Sequence, residues 1–123
     1  MKQTKPRQII YEFMSEQSFP MSANDIFEHL QKQDITLSTL YRTLKAFVKN
    51  QILDKMENND GIALYYIAKD AHSHYVECTK CHKMVKLDFC PYEKVQNKIK
   101  KESGFVICDD HIIYGVCKDC NKN

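Results

Sequence analysis

Apolar residues recur at helical spacing over residues 4–50 and at strand spacing after that. In TKPRQIIYEFMSEQ, Ile9, Ile10, Phe13 and Met14 share one helical face. Thr4 is placed to cap this helix, and Pro6 falls in its first turn, where a missing N–H is tolerated. SANDIFEHLQKQ opens with Ser22 three residues before Asp25, a capping arrangement, and puts Ile26, Phe27 and Leu30 on one side. In LSTLYRTLKAFVKNQ, Leu40, Leu44, Phe47 and Val48 follow i, i+4, i+7 and i+8, with Ser38, Arg42, Lys45 and Lys49 opposite. The period then shortens. ILDKME and IALYYIA read as strands joined through NNDG, whose Asp60–Gly61 step favours a hairpin. Three helices followed by a two-stranded ribbon predict a winged helix-turn-helix.

Beyond residue 68 the pattern restarts. YVEC and MVKLD predict short strands around a Cys-x-x-Cys turn. PYEKVQNKIKKESG predicts an amphipathic helix with Pro91 at its start and Gly104 at its end, and FVICDDHIIYGVC predicts a strand. The expected class is α+β, with a winged-helix DNA-binding domain over 1–68, a hinge over 69–74 and a small α/β domain over 75–123.

Composition sharpens this picture in two ways. The 123 residues are 43% hydrophobic, yet two domains of about 60 residues are marginal unless a metal or a partner subunit helps. The net charge of +2 is too small to indicate nucleic acid by itself, so any DNA reading rests on motif and placement. The start, MKQTKPRQ, carries no export-like apolar run, and no segment approaches about 18 apolar residues. The expected location is the cytoplasm, without a membrane partner. There thiols stay reduced, and the six cysteines read as ligands or buried thiols before disulfides.

Cys78-x-x-Cys81 and Cys117-x-x-Cys120 lie 35 residues apart. Each pair sets two sulfurs on one tight turn, and together they make a closed tetrathiolate suited to structural zinc. CTKCH also matches the c-type haem attachment pattern, but haem would leave Cys117 and Cys120 without a role. His72 and His74 share one face of an extended backbone. Glu93, Asp109 and His111 are further donors for the same site. Imidazole with carboxylate suits zinc, manganese or iron(II), giving a second, regulatory divalent metal. The same His72, His74 and Glu93 would also serve a metallohydrolase, and a zinc-stabilised protein-interaction module is a third possibility. Cys90, at the expected cap of the Pro91 helix, and Cys108 read as buried thiols. The predicted recognition helix offers Ser38, Thr39, Tyr41, Arg42, Lys45 and Lys49 to a duplex, with Lys5, Arg7 and Lys55 available for its backbone. Any solvated helix face has a similar look; the ribbon and the short helix spacing favour DNA.

Taken together, the chain resembles the ferric uptake regulator (Fur) family over nearly its whole length. TKPRQIIYEFM is similar to that family's opening Thr-x-x-Arg helix, and LSTLYRTLKAFVKNQIL to its Ser-x-x-Thr-Val-Tyr-Arg-x-Leu helix, with Leu40 in place of Val. HSHYVECTKCHKMVKLD and HIIYGVCKDC resemble its dimerisation domain. The resemblance implies a homodimeric, metal-dependent repressor of metal uptake or homeostasis that binds a pseudo-palindromic operator and is not an enzyme. It matches Tyr41 and Arg42 to the DNA-contacting pair and the four cysteines to the structural zinc site. There are departures. His82 replaces the usual Gly after the first Cys pair, and Ser73 and Tyr75 stand where His is frequent. Asp109 occupies the place of the last sensing His, with His111 as a substitute. The surviving His72, His74 and Glu93 lean toward the zinc-sensing (Zur) branch, with iron- or manganese-responsive regulators as the alternative.

Overall fold

The computed structural model describes residues 4–67, 74–108 and 112–121. Its contacts divide the chain into two units, Met1–Ala71 and His72–Asn123. The expected hinge over 69–74 lies outside the described residues except for His74.

In the first unit, helix α1 (Lys5–Ser15) starts where Thr4 Oγ1 accepts the Arg7 N–H at 3.4 Å. A two-residue strand β1 (Met21–Ser22), not anticipated from the pattern, leads into α2 (Ala23–His29). Ser22 Oγ caps α2 through the Asp25 N–H at 3.1 Å. The expected helix thus stops at His29, and a 3₁₀ turn follows at Gln31–Gln33. Helix α3 (Leu37–Lys49) is capped by Thr36. Strands β2 (Leu53–Glu57) and β3 (Ala63–Ile67) form the expected hairpin, with Gly61 at φ +77° in the turn. β1 adds to β3 on its other side, giving the order β1-β3-β2. Ile10, Met14, Ile26, Leu30, Leu40, Leu44, Phe47 and Leu53 make one core, with Ile9, Phe13, Phe27 and Val48 packed against it. The 3.6-residue pattern therefore becomes the inner face of all three helices.

The second unit is a three-stranded sheet of order β5-β4-β6 with one helix. β4 (His74–Cys78) pairs antiparallel with β5 (Met84–Leu87) and parallel with β6 (Ile112–Gly115). Helix α4 spans Glu93–Ser103 and ends at Gly104, φ +77°. Its start falls later than Pro91, because Pro91 and Tyr92 form a turn. Cys90 is therefore not its cap.

The predicted strand over residues 105–117 is only half realised. Phe105–Cys108 lies outside any strand, because the Gln96 side chain takes the place of a ladder partner. Its Nε2 donates to the Phe105 carbonyl at 3.1 Å and its Oε1 accepts the Ile107 N–H at 2.7 Å. Nor is Cys108 a buried thiol: it is exposed, and Cys90 is half-buried. The apolar core of this unit is small. Among the described residues only Tyr75, Cys78 and Ile112, with the polar His74, are buried. Phe89, Phe105 and Val106 are 60%, 70% and 74% exposed.

Candidate metal centre and nucleic-acid interface

Local turns prepare each cysteine pair. In the first, the His82 N–H donates to the Cys78 carbonyl and the Cys78 N–H to the Lys83 carbonyl, both at 2.9 Å. In the second, the Cys120 and Asn121 N–H groups donate to the Cys117 carbonyl at 3.1 and 2.9 Å. The parallel pairing brings the turns together. Cys78 sits opposite Gly115, and the Thr79 N–H donates to the Gly115 carbonyl at 2.8 Å. Both strands therefore end on the same side of the sheet, each running into its cysteine turn.

The ligand atoms of Cys78, Cys81, Cys117 and Cys120 all lie within 4.8 Å of one another, and Cys81 Sγ is 3.6 Å from Cys117 Sγ. A tetrahedral ion with metal–sulfur bonds of about 2.3 Å sets its sulfurs about 3.8 Å apart. The four thiols are grouped closely enough to hold such an ion after shifts of no more than about 1 Å. Their acidities differ. The Cys78 sulfur accepts N–H groups from Cys117, Cys81 and Lys80 at 3.3, 3.5 and 3.4 Å. These bonds, that of Cys117 foremost, hold its thiol down at about 5. Cys120 is pushed up to about 12 by the sulfurs of Cys117 and Cys81. Cys81 is also raised: the Lys83 N–H lowers it, but the Cys117 and Cys78 sulfurs outweigh that bond. The cluster resists carrying several thiolates at once unless a cation joins it.

At His82, φ is +64°, so the turn takes the left-handed backbone that a glycine would adopt freely. The side chain lies 66% exposed, with Nδ1 4.0 Å from the Glu77 carboxylate.

Of the donors expected at the second metal, two are described. His74 begins β4 and is buried, its ring centroid 5.5 Å from that of Tyr92. Glu93 follows Tyr92 in the chain and is exposed at the first turn of α4. His72, Asp109 and His111 lie outside the described residues.

On α3 the inner face is Leu40, Thr43, Leu44 and Phe47. Ser38, Tyr41, Arg42, Lys45 and Lys49 are exposed and Thr39 is half-buried. Lys5 is exposed and Arg7 half-buried on α1, and Lys55 is exposed on β2. Two residues of this region carry roles the pattern did not suggest. Thr36 caps α3 by accepting the Thr39 N–H at 3.1 Å; a Thr just before the apolar repeat was the available signal. Tyr65 on β3 lies close enough to Tyr41 to feel its phenol: burial first, then Tyr41, raises its pKa above the ordinary value. No sequence spacing links those two.

A profile of the Ferric uptake regulator family matches residues 1–115. The ferric uptake regulation protein of Neisseria meningitidis serogroup A / serotype 4A is 32% identical over 124 residues, spanning 98% of this chain and 86% of its own length. Among solved structures, the ferric uptake regulator of Francisella tularensis with iron superposes with a TM-score of 0.79 at 25% identity, covering 99% of this chain and 96% of that one. A zinc-bound manganese uptake regulator also reaches 0.79 at 25% identity, covering 95% and 91%. An iron-bearing and a zinc-bearing relative match equally well, so likeness selects no metal. The family consists of transcription regulators, not enzymes, which removes the metallohydrolase reading of His72, His74 and Glu93. Among the described residues no helix is long and apolar enough to cross a membrane. The profile match over residues 1–115 and the identity sustained along the chain agree with the fold: this chain belongs to the ferric uptake regulator family of metal-responsive, DNA-binding transcription regulators.

Proposed function

We propose that the chain is a homodimeric repressor whose first unit is a winged-helix domain that docks α3 in the major groove of a pseudo-palindromic operator. The observation that carries this reading is the division of α3 into a buried apolar face and an exposed face holding Ser38, Tyr41, Arg42, Lys45 and Lys49. Arg42 has the donors for a guanine edge or a phosphate, and Tyr41 offers its hydroxyl to a phosphate or its ring to a thymine methyl. Thr39 belongs to the same surface, Lys5 and Arg7 approach the backbone from α1, and β2 with β3 is the wing. In the second unit Cys78, Cys81, Cys117 and Cys120 hold structural zinc; when bound, the ion ties the ends of β4 and β6 together. The exposed Phe89, Phe105 and Val106 supply apolar surface for the dimer partner. The domain bounds are 1–68, a hinge over 69–74, and 75–123.

His72, His74 and Glu93, completed by Asp109 or His111, bind the regulatory ion. Zinc is favoured over iron or manganese because His74 stands where iron-sensing members of the family often carry Asp. Its role is to bias the two DNA-binding units toward a spacing of about 34–36 Å, that of successive major grooves. A bias of about 1–3 kcal/mol changes DNA affinity by roughly 5- to 150-fold, and DNA must tighten metal binding by the same factor. The test is metal titration with a DNA-binding readout on His72→Ala combined with His74→Ala, and separately on Glu93→Ala. The expected result is a folded, zinc-containing dimer that no longer gains DNA affinity with added metal. A parental response in both variants would refute the sensing site.

A further inference from the structure

Thr39 lies in the first turn of α3, between the cap and Arg42. The Thr36 Oγ1 that accepts the Thr39 N–H also donates its own proton to Thr39 Oγ1, at 3.0 Å. From the next turn Arg42 Nη2 donates to the same Thr39 oxygen at 3.4 Å. That oxygen therefore accepts twice, which uses the acceptor capacity of a hydroxyl. Thr39 is also half-buried, whereas Ser38, Tyr41 and Arg42 on either side are exposed. Its surroundings suit a bracket within the helix better than a group reaching outward.

We propose that Thr39 is a positioning residue: through the hydrogen-bonded chain Thr36–Thr39–Arg42 it aims the guanidinium at the duplex, and contributes to sequence discrimination only by way of Arg42. An unbraced arginine samples many rotamers and must be ordered on binding; one already held loses less freedom. The remaining N–H groups of Arg42 stay available for acceptors in the groove. This inference rests on the DNA-binding reading of α3.

The experiment selects duplexes from a random-sequence pool with wild-type protein loaded with zinc. The preferred duplex and a scrambled duplex of equal length are then titrated with wild type, Thr39→Val, Thr39→Ser, Arg42→Ala and the Thr39→Val/Arg42→Ala double variant. Thr39→Val is expected to lower the preferred-to-scrambled affinity ratio about 3- to 10-fold. Thr39→Ser, which keeps the hydroxyl, is expected to retain the ratio. In the Arg42→Ala background the valine should change nothing further. The cap uses the Thr39 backbone N–H, so the valine variant keeps it; Thr39→Ala is a second hydroxyl-free variant with the same expectation. A wild-type ratio in both hydroxyl-free variants overturns the proposal. So does an equal loss in the Arg42→Ala background, which would make Thr39 an independent DNA contact. If wild type enriches no duplex, the DNA reading itself fails and the proposal falls with it.

Discussion

Replacing Cys78 with serine removes the sulfur on which the second unit converges. Cys78 is 3% exposed, ends β4, and accepts N–H groups from Lys80, Cys81 and Cys117. Around it the described apolar core is little more than Tyr75 and Ile112. Burying a side chain of that size contributes about 1.5–3 kcal/mol. Fixing each backbone residue of the sheet and of α4 costs about 1–2 kcal/mol, so those few side chains cannot order the unit. A structural zinc in zinc-finger peptides contributes an apparent ~10–16 kcal/mol, more than those side chains together, and zinc bound at these four thiols would do likewise. Losing one ligand should therefore unfold His72–Asn123 while Met1–Ala71, with its own core, stays protected. Hydrogen exchange read by mass spectrometry reports both units in one sample, and native mass spectrometry reports zinc. The expected outcome is near-complete loss of amide protection over β4, β5, α4 and β6, with unchanged protection over α1–α3. A Cys78→Ser protein that keeps parental protection in the second unit while carrying no zinc would refute the reasoning.

Further expectations follow from the same geometry. At pH 7 Cys78, held down at about 5, is already a thiolate, whereas Cys120, pushed up to about 12, and the raised Cys81 are protonated. Zinc loading should release protons from Cys81 and Cys120, and zinc affinity should fall as pH falls, more steeply below about 5; calorimetry in buffers of differing ionisation enthalpy measures this, and a zero buffer dependence would contradict it. His82→Gly relieves a left-handed backbone at φ +64° and should stabilise the second unit by up to about 1 kcal/mol in denaturant titration, with zinc content unchanged. Leu44→Ala, at a fully buried position of α3, should destabilise the first unit by about 2–5 kcal/mol in the same titration and leave zinc content intact.

Much of this protein could be read from the chain alone. The caps at Thr4 and Ser22, the inner faces of α1 to α3 and the Asp60–Gly61 hairpin are local properties, set within a few residues by sterics and hydrogen bonding. The two cysteine turns were legible for the same reason, and so was the family, because its motifs are short and closely spaced. Tertiary structure decided what sequence distance conceals. The single tetrathiolate is expected from the two pairs; tertiary structure adds how it is made, since parallel pairing of β4 with β6 sets Cys78 opposite Gly115 and so brings the pairs together. Gln96 holds Phe105 and Ile107 by its side-chain amide, so an apolar run that alternates like a strand does not enter the sheet. Periodicity states which face a residue presents; which backbone or side chain satisfies its hydrogen bonds depends on segments that only folding brings alongside.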